Sequence, residues 1–281
     1  MRLTPADAAI WETFVVPRYL SLFGDLALEL VVEIDQAQVV HVGCRTGYPD
    51  RGLALKLPNS AIVGVDASPP ALALARAKSI TMSGMIAEYR EAQGFPTPLP
   101  DEAFSHAIAL LPPPVASPKP AEGVDDAGRH GLFAELHRLL APSGQMLVAL
   151  PMRGSFVEIA DLLREFGLKF DDPALIVAVD RAAAQRPTAE SLCAEVEAAG
   201  FGYADVVVRT AKLAFSSGRE LLEDPLMRLA LVPEFKSGTG LTEVDRPLGY
   251  LREAIDKYWS DGTFELTVEV GCVSARRLVA G

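Results

Sequence analysis

The side chains best placed to do chemistry gather in one short stretch. Gly43-Cys44-Arg45-Thr46-Gly47 follows the β-branched run Val39-Val40-His41-Val42, and glycines at a strand end let the backbone turn sharply and approach a ligand without a Cβ in the way. Roughly 20 residues further on, where a ribose-binding acid is expected, Asp66 closes a second apolar run, Ala61-Ile62-Val63-Gly64-Val65. A carboxylate there accepts hydrogen bonds from ribose hydroxyls, so the pair points to an adenosine-containing cofactor. A dinucleotide fingerprint starting at Gly43 needs further glycines where the chain has Arg45 and Tyr48, which leaves no cradle for a pyrophosphate. The three cysteines, Cys44, Cys193 and Cys272, are widely spaced with no C-x-x-C, and support neither a disulfide framework nor a zinc ribbon. His130 and His137 lie seven apart on an expected helix without acid or thiol partners at ligand spacing, so no metal site is expected.

The elements that must hold these residues follow from periodicity. Residues 5 to 34 carry apolar positions at steps of three and four, read as two helices broken near Pro17. Strands are expected at Val39–Val42, Ala61–Val65, Ile86–Tyr89, His106–Leu111 and Gln145–Leu150, with helices between them starting near Pro49 and Ser68 and running through Leu132, Leu136, Leu139 and Leu140. Strand and helix alternate, so right-handed crossovers build a doubly wound, mostly parallel α/β sheet. Helices near Ser155–Phe166, Pro173–Ala184 and Thr188–Gly200 come next. Strands at Asp205–Leu213 and Phe264–Ala275 then bracket a helical stretch.

Of 281 residues, 49% are hydrophobic and 22% charged, and the formal net charge is −11. Such a chain buries a core rather than staying disordered. The acidic balance argues against a polyanion as main partner, because nucleic-acid affinity rests on clustered Lys and Arg. A small-molecule partner is expected, with no nucleic acid and no membrane. The stretch Leu20–Val42 is cut by Asp25, Glu29, Glu33 and Asp35, and the N-terminus has no apolar core before Asp7, so neither a span nor a signal peptide is expected and the location is expected to be cytoplasmic.

On these residues the sequence resembles the class I S-adenosylmethionine-dependent methyltransferases, more loosely their small-molecule branch, with a degenerate glycine-rich motif. Val39–Gly47 matches the first motif and Val63-Gly64-Val65-Asp66-Ala67-Ser68 the second. Glu91-Ala92-Gln93 followed by Leu99-Pro100-Asp101-Glu102-Ala103-Phe104 matches the third, and Leu136–Gly144 the helix and turn before the fifth strand. The resemblance implies a Rossmann-like seven-stranded sheet with an antiparallel last strand, and a single domain: N-terminal helices (1–36), a core (37–215 and 263–281) and a helical insertion or lid between the last two strands (216–262). It further implies S-adenosylmethionine as cofactor and methyl transfer to a small or medium-sized acceptor. Gly43 and Gly47 would pack against the methionine part, Asp66 would hold the ribose, and Glu91 and Ala92 would flank the adenine; Cys44, Arg45 and Ala67 complete the expected cofactor-binding set.

Three positions depart from the family pattern. His41 stands for the usual acid before the first glycine, Arg45 for the middle glycine and Ser105 for the Asp after Phe104. Arg45 must either swing to solvent or reach into the pocket near a sulfonium that it would repel. These departures motivate an alternative, a catalytically inactive methyltransferase fold acting as a binding or scaffold module. His41, on a strand covered on both faces, is expected to be a hydrogen-bonded core histidine. No catalytic residue is assigned; Glu220, Glu223 and His130 are the candidates for a general base. The Pro112-Pro113-Pro114 run is expected to form a stiff loop over the site.

Overall fold

The computed structural model describes residues 3–112, 129–241 and 243–279. Pro113 and Pro114, and with them most of the expected stiff loop, lie outside the described residues. Seven strands form one sheet in the order β3-β2-β1-β4-β5-β7-β6. They are β1 (Gln38–Val42), β2 (Ala61–Asp66), β3 (Ile86–Glu91), β4 (Phe104–Leu110), β5 (Leu140–Pro151), β6 (Phe201–Phe215) and β7 (Phe264–Arg277). β1 to β5 pair in parallel, and the last strand runs antiparallel, as the family resemblance implied. The order reverses between β1 and β4, so the carboxyl ends of the first four strands surround the switch point where open α/β sheets bind ligands.

The chain folds as two compact units. The first holds residues up to Leu150 with Ala189–Val207 and the segment from Gly271. Its centre is β1, where Val39 and Val40 are fully buried, flanked by buried Ile62 on β2 and Ala107 and Ile108 on β4. Such strands are covered on both faces and read as continuous apolar runs. Helices α1 (Pro5–Ile10), α2 (Ser21–Leu30), α3 (Asp50–Lys56), α4 (Pro69–Ile80), α5 (Arg129–Leu139) and α8 (Ala189–Ala198) belong to this unit. A capping box at Thr4, with Asp7 returning the bond, starts α1.

The expected break near Pro17 is absent. Trp11–Leu20 continues α1 into α2 as a π-helical stretch with Pro17 inside it; the wider turn tolerates a residue without an N–H that would break an α-helix. Ser68 precedes α4 without a side-chain cap bond, because its hydroxyl instead accepts from Leu3 N–H at 3.1 Å. β5 begins earlier than expected, at Leu140, with a register irregularity opposite Phe104 and His106 that accommodates Pro142-Ser143-Gly144.

The second unit comprises Pro151–Thr188 and Val208–Val270. It holds α6 (Val157–Lys169), α7 (Pro173–Ala184), α9 (Gly218–Glu223), a π-helical turn at Met227–Leu231, α10 (Val232–Thr239) and α11 (Asp245–Tyr258). Tyr250 and Tyr258 on α11 both donate to Glu165 of α6, at 2.6 and 2.7 Å, and Arg186 donates to Glu234 at 2.8 Å. The stretch expected to be helical at 216–262 is helical, in several short pieces. Among the described residues no helix is long and apolar enough to cross a membrane.

Candidate functional site

The turn after β1 is fixed by its backbone before any side chain is considered. The N–H groups of Gly43 and Cys44 both donate to Val65 O, at 2.8 and 3.1 Å, and Gly47 N–H closes back on Cys44 O at 2.8 Å. Alternate residues take left-handed backbone: φ is 72° at Gly43, 47° at Arg45 and 78° at Gly47. Glycine adopts these angles freely, whereas an L side chain at Arg45 carries strain of about 1–2 kcal/mol.

Asp66 ends β2 with both carboxylate oxygens oriented. Arg45 N–H donates to Oδ2 at 3.1 Å and Ser68 N–H to Oδ1 at 2.8 Å. Each oxygen retains acceptor capacity for a further donor. The backbone thus presents the carboxylate without help from another side chain.

Below the turn lies a buried polar cluster. Asp50, the first residue of α3, is fully buried; its Oδ1 lies 2.6 Å from His41 Nδ1 and its Oδ2 accepts from Tyr89 O–H at 2.8 Å. A buried carboxylate is tolerable when it is hydrogen-bonded this way. Burial, reinforced by the Asp50 charge, pushes the Tyr89 phenol far above its ordinary range. The Tyr89 ring fills the space a Cβ would need at Gly64, 2.5 Å from the nearest ring carbon, and its hydroxyl crowds Gly47 at 3.0 Å. Cys44 packs beside Leu72, Ala75 and Tyr89. Burial raises its thiol pKa well above the usual value, which makes it inert. His41 is therefore the expected core histidine, and it also holds α3 to β1.

Above the turn is a cavity of about 260 Å³ at the carboxyl edge of the strands. β1 and its turn contribute Val42, Gly43 and Arg45, and β2 with the residue after it contributes Val65, Asp66 and Ala67. The segment after β3 contributes Ala92–Phe95 and Thr97, while Pro112 and Leu132 complete the lining. Thr97 is itself pinned: its N–H and hydroxyl both donate to Glu135 of α5, at 2.8 and 2.6 Å.

Of the expected cofactor residues, Gly43, Arg45, Asp66, Ala67 and Ala92 line this cavity together. Cys44 and Gly47 do not; they face the core beneath. Glu91 is exposed and accepts from the Gln93 amide. Phe95, Thr97 and Leu132 were not singled out from the sequence. Phe95 did carry a signal, an aromatic in an otherwise polar, proline-rich loop, but Leu132 reads as one more apolar helix position. Ser105 lies at the opposite, amino-terminal end of β4, bridging to Gln38 of β1 with bonds of 3.0 Å in each direction, so its departure from the family pattern does not touch the cavity. Of the base candidates, His130 is exposed and does not line it, and Glu220 and Glu223 are exposed residues of the second unit. Among the described residues no three His, Cys, Asp or Glu gather as a metal site.

The lining fits a nucleoside. A Cβ built on Gly43 meets nothing within 4 Å, so the glycine leaves open space where a side chain would intrude. A carboxylate stands beside it for a diol, and Ala92, Phe95 and Leu132 offer apolar walls for a ring.

Residues 39–144 match the family described as a methyltransferase domain. The chain is 32% identical over 159 residues to the demethylmenaquinone methyltransferase of Thermus thermophilus, covering 50% of this chain and 66% of that protein. It is 30% identical over 144 residues to a trans-aconitate 2-methyltransferase of Acidovorax, covering 50% of each. The matches therefore span only half to two thirds of these relatives' own length. In fold, the chain is similar to Haemonchus contortus phosphoethanolamine N-methyltransferase 2 in complex with S-adenosyl-L-methionine, with a TM-score of 0.54 at 13% identity, covering 98% of this chain and 58% of that one. With four motifs in order, the strand order of the sheet and these matches in agreement, residues 39–144 form a methyltransferase domain of the class I S-adenosylmethionine-dependent kind.

Proposed function

We propose that this chain transfers a methyl group from S-adenosylmethionine to a small or medium-sized acceptor, and that the cavity at the β1–β4 switch point is its cofactor site. The observation that carries the reading is Asp66: a carboxylate aimed by two backbone N–H groups, lining a cavity beside a glycine whose missing Cβ leaves open space. Asp66 takes the ribose hydroxyls, Ala92, Phe95 and Leu132 flank the adenine, and the Gly43 backbone accommodates the chain beyond the ribose. Bound S-adenosylmethionine supplies a methyl carbon already activated by its sulfonium. The protein's own contribution is orientation and exclusion of water, tasks that suit a turn locked to β2 and a largely apolar lining. The relatives named for demethylmenaquinone and trans-aconitate support an acceptor of small-molecule class, and the net charge of −11 argues against nucleic acid. In this reading the two units work as one catalytic chain in the cytoplasm.

Calorimetric titration with S-adenosylmethionine and S-adenosylhomocysteine tests the site. Micromolar binding is expected, and Asp66→Ala should weaken it by about 1–3 kcal/mol, the scale of hydrogen bonds to a charged group. Folded protein that gives no heat and no thermal shift at millimolar ligand overturns the enzyme reading in favour of a binding module.

A further inference from the structure

Arg45 does not swing to solvent but is held at the wall of the cavity. Its guanidinium lies over the Trp11 ring, 4.2 Å from Cζ to the centroid, and Nη2 donates to Leu111 O at 3.2 Å. Stacking on an indole face favours a guanidinium, and Trp11 is fully buried, so the π-helical stretch holds the side chain beside the cavity rather than in solvent. Among the described residues that bond to Leu111 is the guanidinium's single hydrogen bond, and it forms no ion pair.

Such a group is incomplete. Arginine keeps its proton at working pH and offers five N–H donors in a planar fork, of which one is used. Burial acts against the charge, offset by the nearby Asp66. Asp66, however, directs its two oxygens to backbone N–H groups, and the neighbouring cation Lys78 is engaged by Glu12 and by Thr46 O. Among the described residues lining the cavity, Asp66 is the anion and Arg45 the cation. A desolvated cation facing a cavity favours an anionic oxygen there.

We propose that Arg45 is the carboxylate anchor of this cavity, a specificity-determining residue that selects ligands presenting a carboxylate beside the nucleoside. The inference rests on the cofactor-site reading above. The carboxylate has two possible sources, the amino-acid arm of the cofactor or the acceptor. Both use the same chemistry, a planar anion on a planar fork.

Calorimetry on the full chain separates the outcomes. The first pair of probes is S-adenosylhomocysteine and S-adenosyl-3-thiopropylamine, which differ only in the carboxylate. Wild-type protein should bind the first at least tenfold more tightly, Arg45→Gln should erase that preference while leaving the amine's affinity within threefold, and Arg45→Lys should restore part of it. If wild type does not distinguish the pair, citrate titrated into protein saturated with the amine tests the acceptor source; heat in wild type that Arg45→Gln abolishes supports the anchor. A preference or citrate binding that persists in Arg45→Gln, or neither effect while both nucleosides bind, overturns the anchor and leaves the cofactor site intact. If neither nucleoside binds wild type, the cofactor-site reading itself falls. The wild-type comparison needs no variant, and thermal melts establish that each variant is folded.

Discussion

Beneath the turn Gly43–Gly47, Asp50 accepts from Tyr89 and pairs with His41, and all three are shut away from water. On the cavity side of the same five residues, Asp66 keeps acceptor capacity and Arg45 keeps most of its donors. The two faces share one backbone yet are finished to different degrees. A buried polar cluster must be satisfied internally or it is costly, so the underside is complete in the protein alone. A ligand-facing surface is completed from outside, and its unspent hydrogen-bonding capacity is the signature of that role. The turn is divided accordingly: Gly43 and Arg45 face the cavity, Cys44 and Gly47 the core.

The sharpest way to break this contrast is Asp50→Ala. Removing the shared acceptor leaves His41 and Tyr89 buried without a partner, and a loss of about 3–5 kcal/mol is expected, read as a fall of several degrees in Tm. Tyr89→Phe, which removes one donor from the same carboxylate, should cost about 1–3 kcal/mol.

The two glycines give a paired test. Gly47→Ala meets both a positive φ and contacts of 3.0 and 3.1 Å to the Tyr89 hydroxyl and the Ala75 Cβ, so a stability loss of about 2 kcal/mol is expected. Gly43→Ala meets only the backbone penalty of about 1 kcal/mol, but its new methyl enters the cavity. Chemical denaturation together with nucleoside titration should therefore show Gly47→Ala losing mainly stability and Gly43→Ala losing mainly affinity. Equal effects on both quantities would remove the division of the turn into two faces.

The smallest effect comes from pH. His106 is buried on β4, with Nε2 bonded to Val32 O at 2.9 Å, and burial lowers its pKa below the ordinary histidine value. The folded state then binds its proton less readily than the unfolded chain. This contribution to stability is present above about pH 6.5, the unfolded histidine value, and is lost as pH falls through the lower folded value. Thermal melts between pH 7.5 and 5 should show a decline that His106→Gln reduces.

Much of this was legible without coordinates. The parallel order of β1 to β5 follows from β-branched runs alternating with helical periods, and Asp66 was singled out by its distance from the glycines. Those are local signals: a strand end, a turn and a fixed number of residues between them. Arg45 was recognisable as a departure, but its orientation was not, since nothing near it in sequence announces a stack on Trp11 from a helix more than thirty residues earlier. The break expected at Pro17 failed because local propensity was overridden by a wider helical turn. Asp50 carried no sequence signal at all, being one acid among 37 acidic residues until the fold buried it between His41 and Tyr89.

The sequence alone thus determined the alternating α/β architecture, the place of the switch-point turn and the acid at the end of β2, because each is written in short-range periodicity and spacing. Tertiary structure alone decided which side chains face the cavity and which satisfy one another beneath it. Phe95, Leu132 and Trp11 come from separate elements, and only the packing of those elements on the sheet brings them to one turn; burial then sets what each polar group must find as a partner.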